Sequence, residues 1–184
     1  SEDELIRLLH ACDACARWPL GLAVRLAIMT GARRSEIQDL RWKDVDVAHG
    51  RAYVVKSKSG KPRTLFIHEP VLSILKEWSL TKTENGYVFP ARGRTLRPRN
   101  FHKDFREACA RADVQDFCFH DLRHTAASYM AIYGGASSSA IQAFLGHASP
   151  RTTARYVHLC DAHLHDISAK IAERIPDMSG VRHV

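Results

Sequence analysis

The stretch His120-Asp121-Leu122-Arg123-His124 packs two imidazoles, a guanidinium and a carboxylate into one short run. On a helix, His120, Arg123 and His124 share a face with Ala127, because steps of three and four residues return to the same side. That face can bind an anion or move protons near neutral pH. Histidines four apart can also begin a zinc site. Asp121 stands where zinc-protease motifs carry Glu, however, and cationic Arg123 on the same face disfavours a divalent metal. The bland alternative is a solvated basic face.

Two further stretches carry cations at defined places. Thr30-Gly31-Ala32-Arg33-Arg34-Ser35-Glu36-Ile37 sets an arginine, Arg33 or Arg34, at a helix-turn-helix junction, with Glu36 able to steady a neighbouring side chain. Alone this is no more than a surface arginine with a helical ion pair. Lys56-Ser57-Lys58-Ser59-Gly60-Lys61-Pro62-Arg63 reads as a basic hairpin tip with a glycine for the turn, or as an ordinary soluble turn. Last comes Leu145-Gly146-His147-Ala148-Ser149-Pro150, followed by Arg151 and, after it, Tyr156. Ser149 can cap a helix that starts at Pro150, which sets Tyr156 two turns in and His147 just before the cap. With a reference pKa of ~10, tyrosine becomes a nucleophile only beside a base and strong positive charge.

These residues need elements to hold them. The spacing of Leu5, Leu8, Leu9 and Cys12 predicts a helix over 2–16. A second helix opens at Pro19 and is terminated by Gly31, and a short one follows over 35–42. The period then changes: 45–47, 52–56 and 64–67 are β-rich runs that predict a small three-stranded antiparallel sheet. Helical patterns resume at 69–80, 98–112, 120–134, 138–146, 150–159 and 162–174, and 179–184 reads as a loose tail. On the helix that begins at 120, Leu122, Ala126, Tyr129, Met130 and Tyr133 form the apolar stripe, so the His and Arg face should point away from the core. The expected fold is therefore α+β and mainly helical, with no internal repeat.

Composition narrows the function. At 184 residues, 45% of them apolar, the chain suits one globular domain, and disorder and fibrous repeats are excluded. Lys plus Arg number 27 against 20 Asp plus Glu, for a net charge of +7, which favours a polyanionic partner over an acidic-substrate or membrane-surface role. No apolar run approaches the roughly 18 residues of a membrane span and no signal peptide opens the chain, so a cytoplasmic protein is expected. Five scattered cysteines, an odd number, suggest free thiols. Cys12 and Cys15 formally spell CxxC but lack a second pair and fall in a helical pattern.

Taken together, TGARRSEI, SKSGKPR, HDLRH and LGHASPRTTARY resemble the catalytic domain of the tyrosine recombinases, the phage integrase family, and they occur in that family's order. The resemblance runs from about Glu4 to Ile175. Tyr156 follows His147 by nine residues, the family's spacing. The resemblance implies a catalytic set of Arg33, Lys58, His120, Arg123, His147 and Tyr156, with Glu36 orienting the site. The family's TG-x-R spacing selects Arg33 over Arg34, and its hairpin lysine selects Lys58 over Lys56 or Lys61. Further phosphate contacts are expected from Arg34, Lys56, Lys61, Arg63, His124 and Arg151.

The implied fold is the DNA breaking-rejoining fold, with a catalytic domain over 1–176 and a tail over 177–184. The implied reaction is attack by Tyr156 on a DNA phosphodiester. It forms a 3′-phosphotyrosine link and releases a 5′ hydroxyl, needing neither metal nor ATP nor any cofactor. His120 would accept or relay the tyrosine proton, His147 donate to the phosphate, and Lys58 protonate the leaving oxygen. The partners would be double-stranded DNA and further copies of the chain, as a tetramer on two sites. Two alternatives stand beside this: relaxation of single strands in the manner of a type IB topoisomerase, and a DNA-binding module with a decayed site. Ala32 and Phe66 depart from the family's usual residues. The amino-terminal DNA-binding domain usual in the family is expected to be missing from this chain.

Overall fold

The computed structural model of the chain describes residues 1–15, 19–55, 62–80, 86–91, 94–146 and 153–156. Its helices are α1 (Glu2–Asp13), α2 (Leu20–Thr30), α3 (Arg34–Gln38), α4 (Val71–Ser79), α5 (His102–Arg111), α6 (Asp121–Ile132) and α7 (Ser138–Leu145). Strands β1 (Val45–Asp46), β2 (Arg51–Val54) and β3 (Arg63–Phe66) form the expected antiparallel sheet in sequential order. Val45 pairs with Ala52, and Val54 with Arg63. A second pair, β4 (Pro90–Ala91) and β5 (Arg94–Pro98), adds a ribbon that the hydrophobic pattern did not reveal.

α2 is apolar nearly all round, so it can be stable only if sunk among other elements. Leu20, Leu22, Ala23, Val24, Leu26 and Ala27 are buried, and the helix packs against α1 on one side and α6 on another. Gly31 ends it in the left-handed region, at φ 58°, which only glycine adopts at little cost. The main core continues through the rings of Phe89, Phe101, Phe105 and Phe119, which meet edge-on or tilted at centroid distances of 5.2–5.7 Å. A smaller cluster joins Ala127 and Ala131 of α6, Ile141 and Leu145 of α7, and Tyr156.

Two boundaries differ from the sequence pattern. The helix expected over 35–42 stops at Gln38 because the next backbone groups pair elsewhere: Val88 N donates to Leu40 O at 2.8 Å and Trp42 N to Gly86 O at 3.0 Å. A 3₁₀ turn, Trp42–Asp44, then leads into β1. The helix expected from 98 starts at His102. Arg94–Pro98 is committed to β5, and Asn100 Oδ1 accepts from His102 N at 3.0 Å.

Of the helix expected over 150–159, the described part is a 3₁₀ turn, Ala154–Tyr156; the run 162–174 and the tail lie outside the described residues. Cys12, Cys15, Cys109 and Cys118 are unbridged. Burial pushes the Cys12 thiol up to about 12, which makes it inert as a redox group. Among the described residues no helix is long and apolar enough to cross a membrane.

Candidate active site

Glu36 organises the junction between α2 and α3. Its side chain is 1% exposed and accepts from the Arg33 backbone N–H at 2.8 Å, from Arg33 Nη1 at 3.0 Å and from Arg63 Nη2 at 2.6 Å. Burial by itself would raise the Glu36 carboxyl. The Arg33 backbone bond and the Arg63 guanidinium outweigh burial and hold it below its ordinary value. The carboxylate is thus a charged hub, and it fixes two guanidiniums from different parts of the chain.

Three arginines meet the end of α7. The last carbonyls of a helix have no partner within it and carry the negative end of its dipole. Here three successive carbonyls each accept from a different arginine: Phe144 O from Arg63 Nη1 at 2.6 Å, Leu145 O from Arg123 Nη2 at 2.7 Å and Gly146 O from Arg33 Nη2 at 3.3 Å. Arg123 also donates from Nη1 to Gly31 O at 2.6 Å, so it ties the end of α2 to the end of α7. Gly146 caps α7 at φ 65°, and His147 follows it.

Collecting cations in this way has an electrostatic consequence. Arg123 is 3% exposed. Burial first, then the charges of Arg33 and Arg63, lower its pKa to about 10, against the opposing pull of Glu36 and Tyr156. A buried, partly compensated cluster of this kind favours an arriving anion, above all one whose charge grows during reaction.

α6 supplies the remaining groups. Tyr156 is 5% exposed, and its ring belongs to the small cluster with Ala127, Ile141 and Leu145. Its hydroxyl hydrogen-bonds to His124 Nδ1. The ring of His120 stands perpendicular to that of His124, with 5.3 Å between centroids. Asp121 accepts from Cys118 N at 2.7 Å. Burial works against its charge, but the Cys118 hydrogen bonds and the nearby His124 and His120 keep it low.

Arg33, Glu36, Arg123, His124 and Tyr156 therefore come together from three parts of the chain. His120 is exposed at the rim and shares with Arg33, Arg34, His102 and Arg106 an open cleft of about 960 Å³. Lys56, Lys58, Lys61, His147 and Arg151 lie outside the described residues.

Two placements go beyond the sequence reading. Arg63 lies within the Glu36 network, and the signal for this was strand alternation: Arg63 shares a face with Leu65, two residues on, which is 5% exposed. The α6 face with Arg123 and His124 does not point away from the core. It packs toward α7 and Tyr156, while Tyr133, at the end of the apolar stripe, is 66% exposed. Among the described residues no three His, Cys, Asp or Glu side chains converge as metal ligands.

The sequence profile described as "Phage integrase family" matches residues 1–163. Tyrosine recombinase XerC of Mycobacterium tuberculosis is 32% identical over 94% of this chain, which spans 62% of that relative's length. The fold is similar to that of the catalytic domain of bacteriophage HP1 integrase, with a TM-score of 0.70 and 28% identity over all of this chain and 97% of that one. A lambda integrase dimer bound to a COC′ core site shares the fold at a TM-score of 0.66 and 23% identity, over 85% of this chain and 57% of that one.

Proposed function

The chain belongs to the phage integrase family, and on that premise we propose that it is the catalytic part of a site-specific DNA recombinase that cuts and rejoins strands through Tyr156. The observation that carries this reading is the Tyr156 hydroxyl held on His124, within the field of Arg123. Tyrosine becomes a nucleophile when a base and positive charge are both at hand.

In this reading one DNA phosphodiester enters the cleft beside Arg33. A guanidinium has five donors, so Arg33 and Arg123 can each keep a helix-end carbonyl and still bind a non-bridging phosphate oxygen. Tyr156 attacks phosphorus, the 5′ oxygen leaves, and the phosphodiester energy is kept in a 3′-phosphotyrosine. Attack by the 5′ hydroxyl of another strand then rejoins DNA without ATP. Lys58 as the acid for the leaving oxygen and His147 as a phosphate donor are assigned by resemblance. So are a partner of double-stranded DNA, assembly as a tetramer on two sites, and a single catalytic unit over 1–176.

The test is covalent capture. A pool of nicked duplexes with randomised centres is incubated with the protein, and DNA that survives denaturing detergent while attached to protein is recovered and sequenced. Adducts that converge on one sequence and vanish with Tyr156→Phe are expected. Adducts that persist in the Phe variant, or none from the unaltered protein, overturn the reading.

A further inference from the structure

We infer that His124, through Nδ1, rather than His120 is the base that takes the proton of Tyr156 as its oxygen attacks phosphorus, a step that rests on the recombinase reading above. Only a neutral Nδ1 with its proton on Nε2 can accept from the hydroxyl, and the Tyr156 hydroxyl is in hydrogen-bond contact with that atom. Both side chains are held there: Tyr156 is locked in the cluster with Ala127 and Leu145, and His124 projects from the first turn of α6.

The proton's destination is also prepared. The Asp121 carboxylate, on the same helix, lies close enough to feel His124 and His120, and its charge favours an imidazolium. Arg123, buried on the adjoining side, feels charge on the Tyr156 oxygen and in turn favours the phenolate. His124 also lines a cavity of about 460 Å³ across which Ser1, Glu2 and Glu4 stand, so the other charges facing it include two carboxylates and the Ser1 amino group.

The step balances. The bond from the Tyr156 oxygen to phosphorus forms as the bond from phosphorus to the 5′ oxygen breaks, and the hydroxyl proton moves to Nδ1. The 5′ oxygen takes a proton from a cationic donor, Lys58 in the reading above. On religation the imidazolium returns its proton to the departing tyrosine oxygen.

Single-turnover cleavage of the captured duplex, followed from pH 5 to 10, tests this with His124→Ala and His124→Asn. The Asn oxygen can still accept from Tyr156 but cannot carry the proton away. Both variants should cleave roughly 10²- to 10⁴-fold more slowly at neutral pH. Their rates should then rise about tenfold per pH unit toward ~10, where tyrosine ionises unaided. If His124→Asn cleaves at the unaltered rate with the unaltered pH profile, His124 only positions the hydroxyl and the inference is overturned. Should the Ala variant fail to fold by thermal melting, the Asn variant decides alone. Failure of the unaltered protein to form any Tyr156-dependent adduct overturns the recombinase reading instead, so the two failures are distinct.

Discussion

Arg63 Nη2 lies 2.6 Å from Glu36 Oε2, an ion pair with 13% and 1% of the two side chains exposed, although one residue follows the basic hairpin and the other starts a helix. Cutting a buried pair in half leaves an uncompensated charge, typically at a cost of about 3–5 kcal/mol. Arg63→Ala should therefore lower stability in urea by that order and also loosen Arg33, which shares the carboxylate. The Glu36 carboxyl titrates below its ordinary value of 4.5, so its contribution is complete above that value and is lost as pH falls through the lower, folded-state one. The stability gap between the unaltered protein and Glu36→Gln should be full at pH 7, narrow as pH falls below 4.5 and close once pH passes the lower, folded-state value. A gap that does not change with pH would count against the charge of Glu36 as its cause.

Gly31 and Gly135 have nearly the same backbone, at φ 58° and 57°, but different surroundings. A Cβ on Gly31 would stand 2.5 Å from Leu145 Cδ2 and 3.2 Å from Phe144 Cε1, while one on Gly135 would meet nothing within 4 Å. Gly135→Ala should cost only the left-handed backbone, roughly 1–2 kcal/mol. Gly31→Ala should cost more. It should also slow cleavage, because the clash falls between Gly31 and Leu145, the two residues whose carbonyls anchor Arg123. Equal losses for the two variants, by denaturation and by adduct formation, would contradict this account of the junction.

What the sequence made legible follows from which physical signals are local. Gly31 as a terminator and the three β-rich runs are decided within a few residues, and each is found where the pattern placed it. The β4/β5 ribbon was not legible, since a two-residue strand such as Pro90–Ala91 has no period to read. Nor was the early end of α3, which depends on backbone partners at 86–88, far along the chain. The same distinction holds in the site. Motif spacing singled out Arg33, Glu36, Arg123 and Tyr156, but the ladder of three arginines on consecutive α7 carbonyls exists only once α2, β3, α6 and α7 are packed.

Arg123 bridges two carbonyls, Gly31 O and Leu145 O, with separate nitrogens at 2.6 and 2.7 Å. A lysine ammonium is a point donor on a flexible stem and cannot reproduce that fork. Arg123→Lys should therefore behave nearly as badly as Arg123→Ala, with cleavage reduced on the order of 10³-fold, as for other arginines that stabilise phosphoryl transfer. Excess chelator should leave cleavage by the unaltered protein unchanged. A Lys variant close to full activity would mean that charge alone suffices. Chelator-sensitive cleavage restored by zinc would instead revive His120 and His124 as ligands.

The last prediction concerns the leaving group, whose proton has three candidate donors in one hairpin: Lys56, Lys58 and Lys61. A 5′ alkoxide leaves poorly, so a general acid there should contribute roughly 10²- to 10⁴-fold in rate. A lysine that only touches a neighbouring phosphate should instead change affinity and its salt dependence. Replacing the bridging 5′ oxygen with sulfur separates these roles, because a thiolate departs without needing a proton. Lys58→Ala should be slow on ordinary DNA yet close to the unaltered protein on the sulfur-substituted strand. Arg123→Ala should stay slow on both, since its proposed role is at the non-bridging oxygens. Lys56→Ala and Lys61→Ala should show small, salt-sensitive losses on either strand. Rescue by sulfur in Lys56→Ala or Lys61→Ala would move the acid to that residue, and rescue in none of the three would place it outside the hairpin.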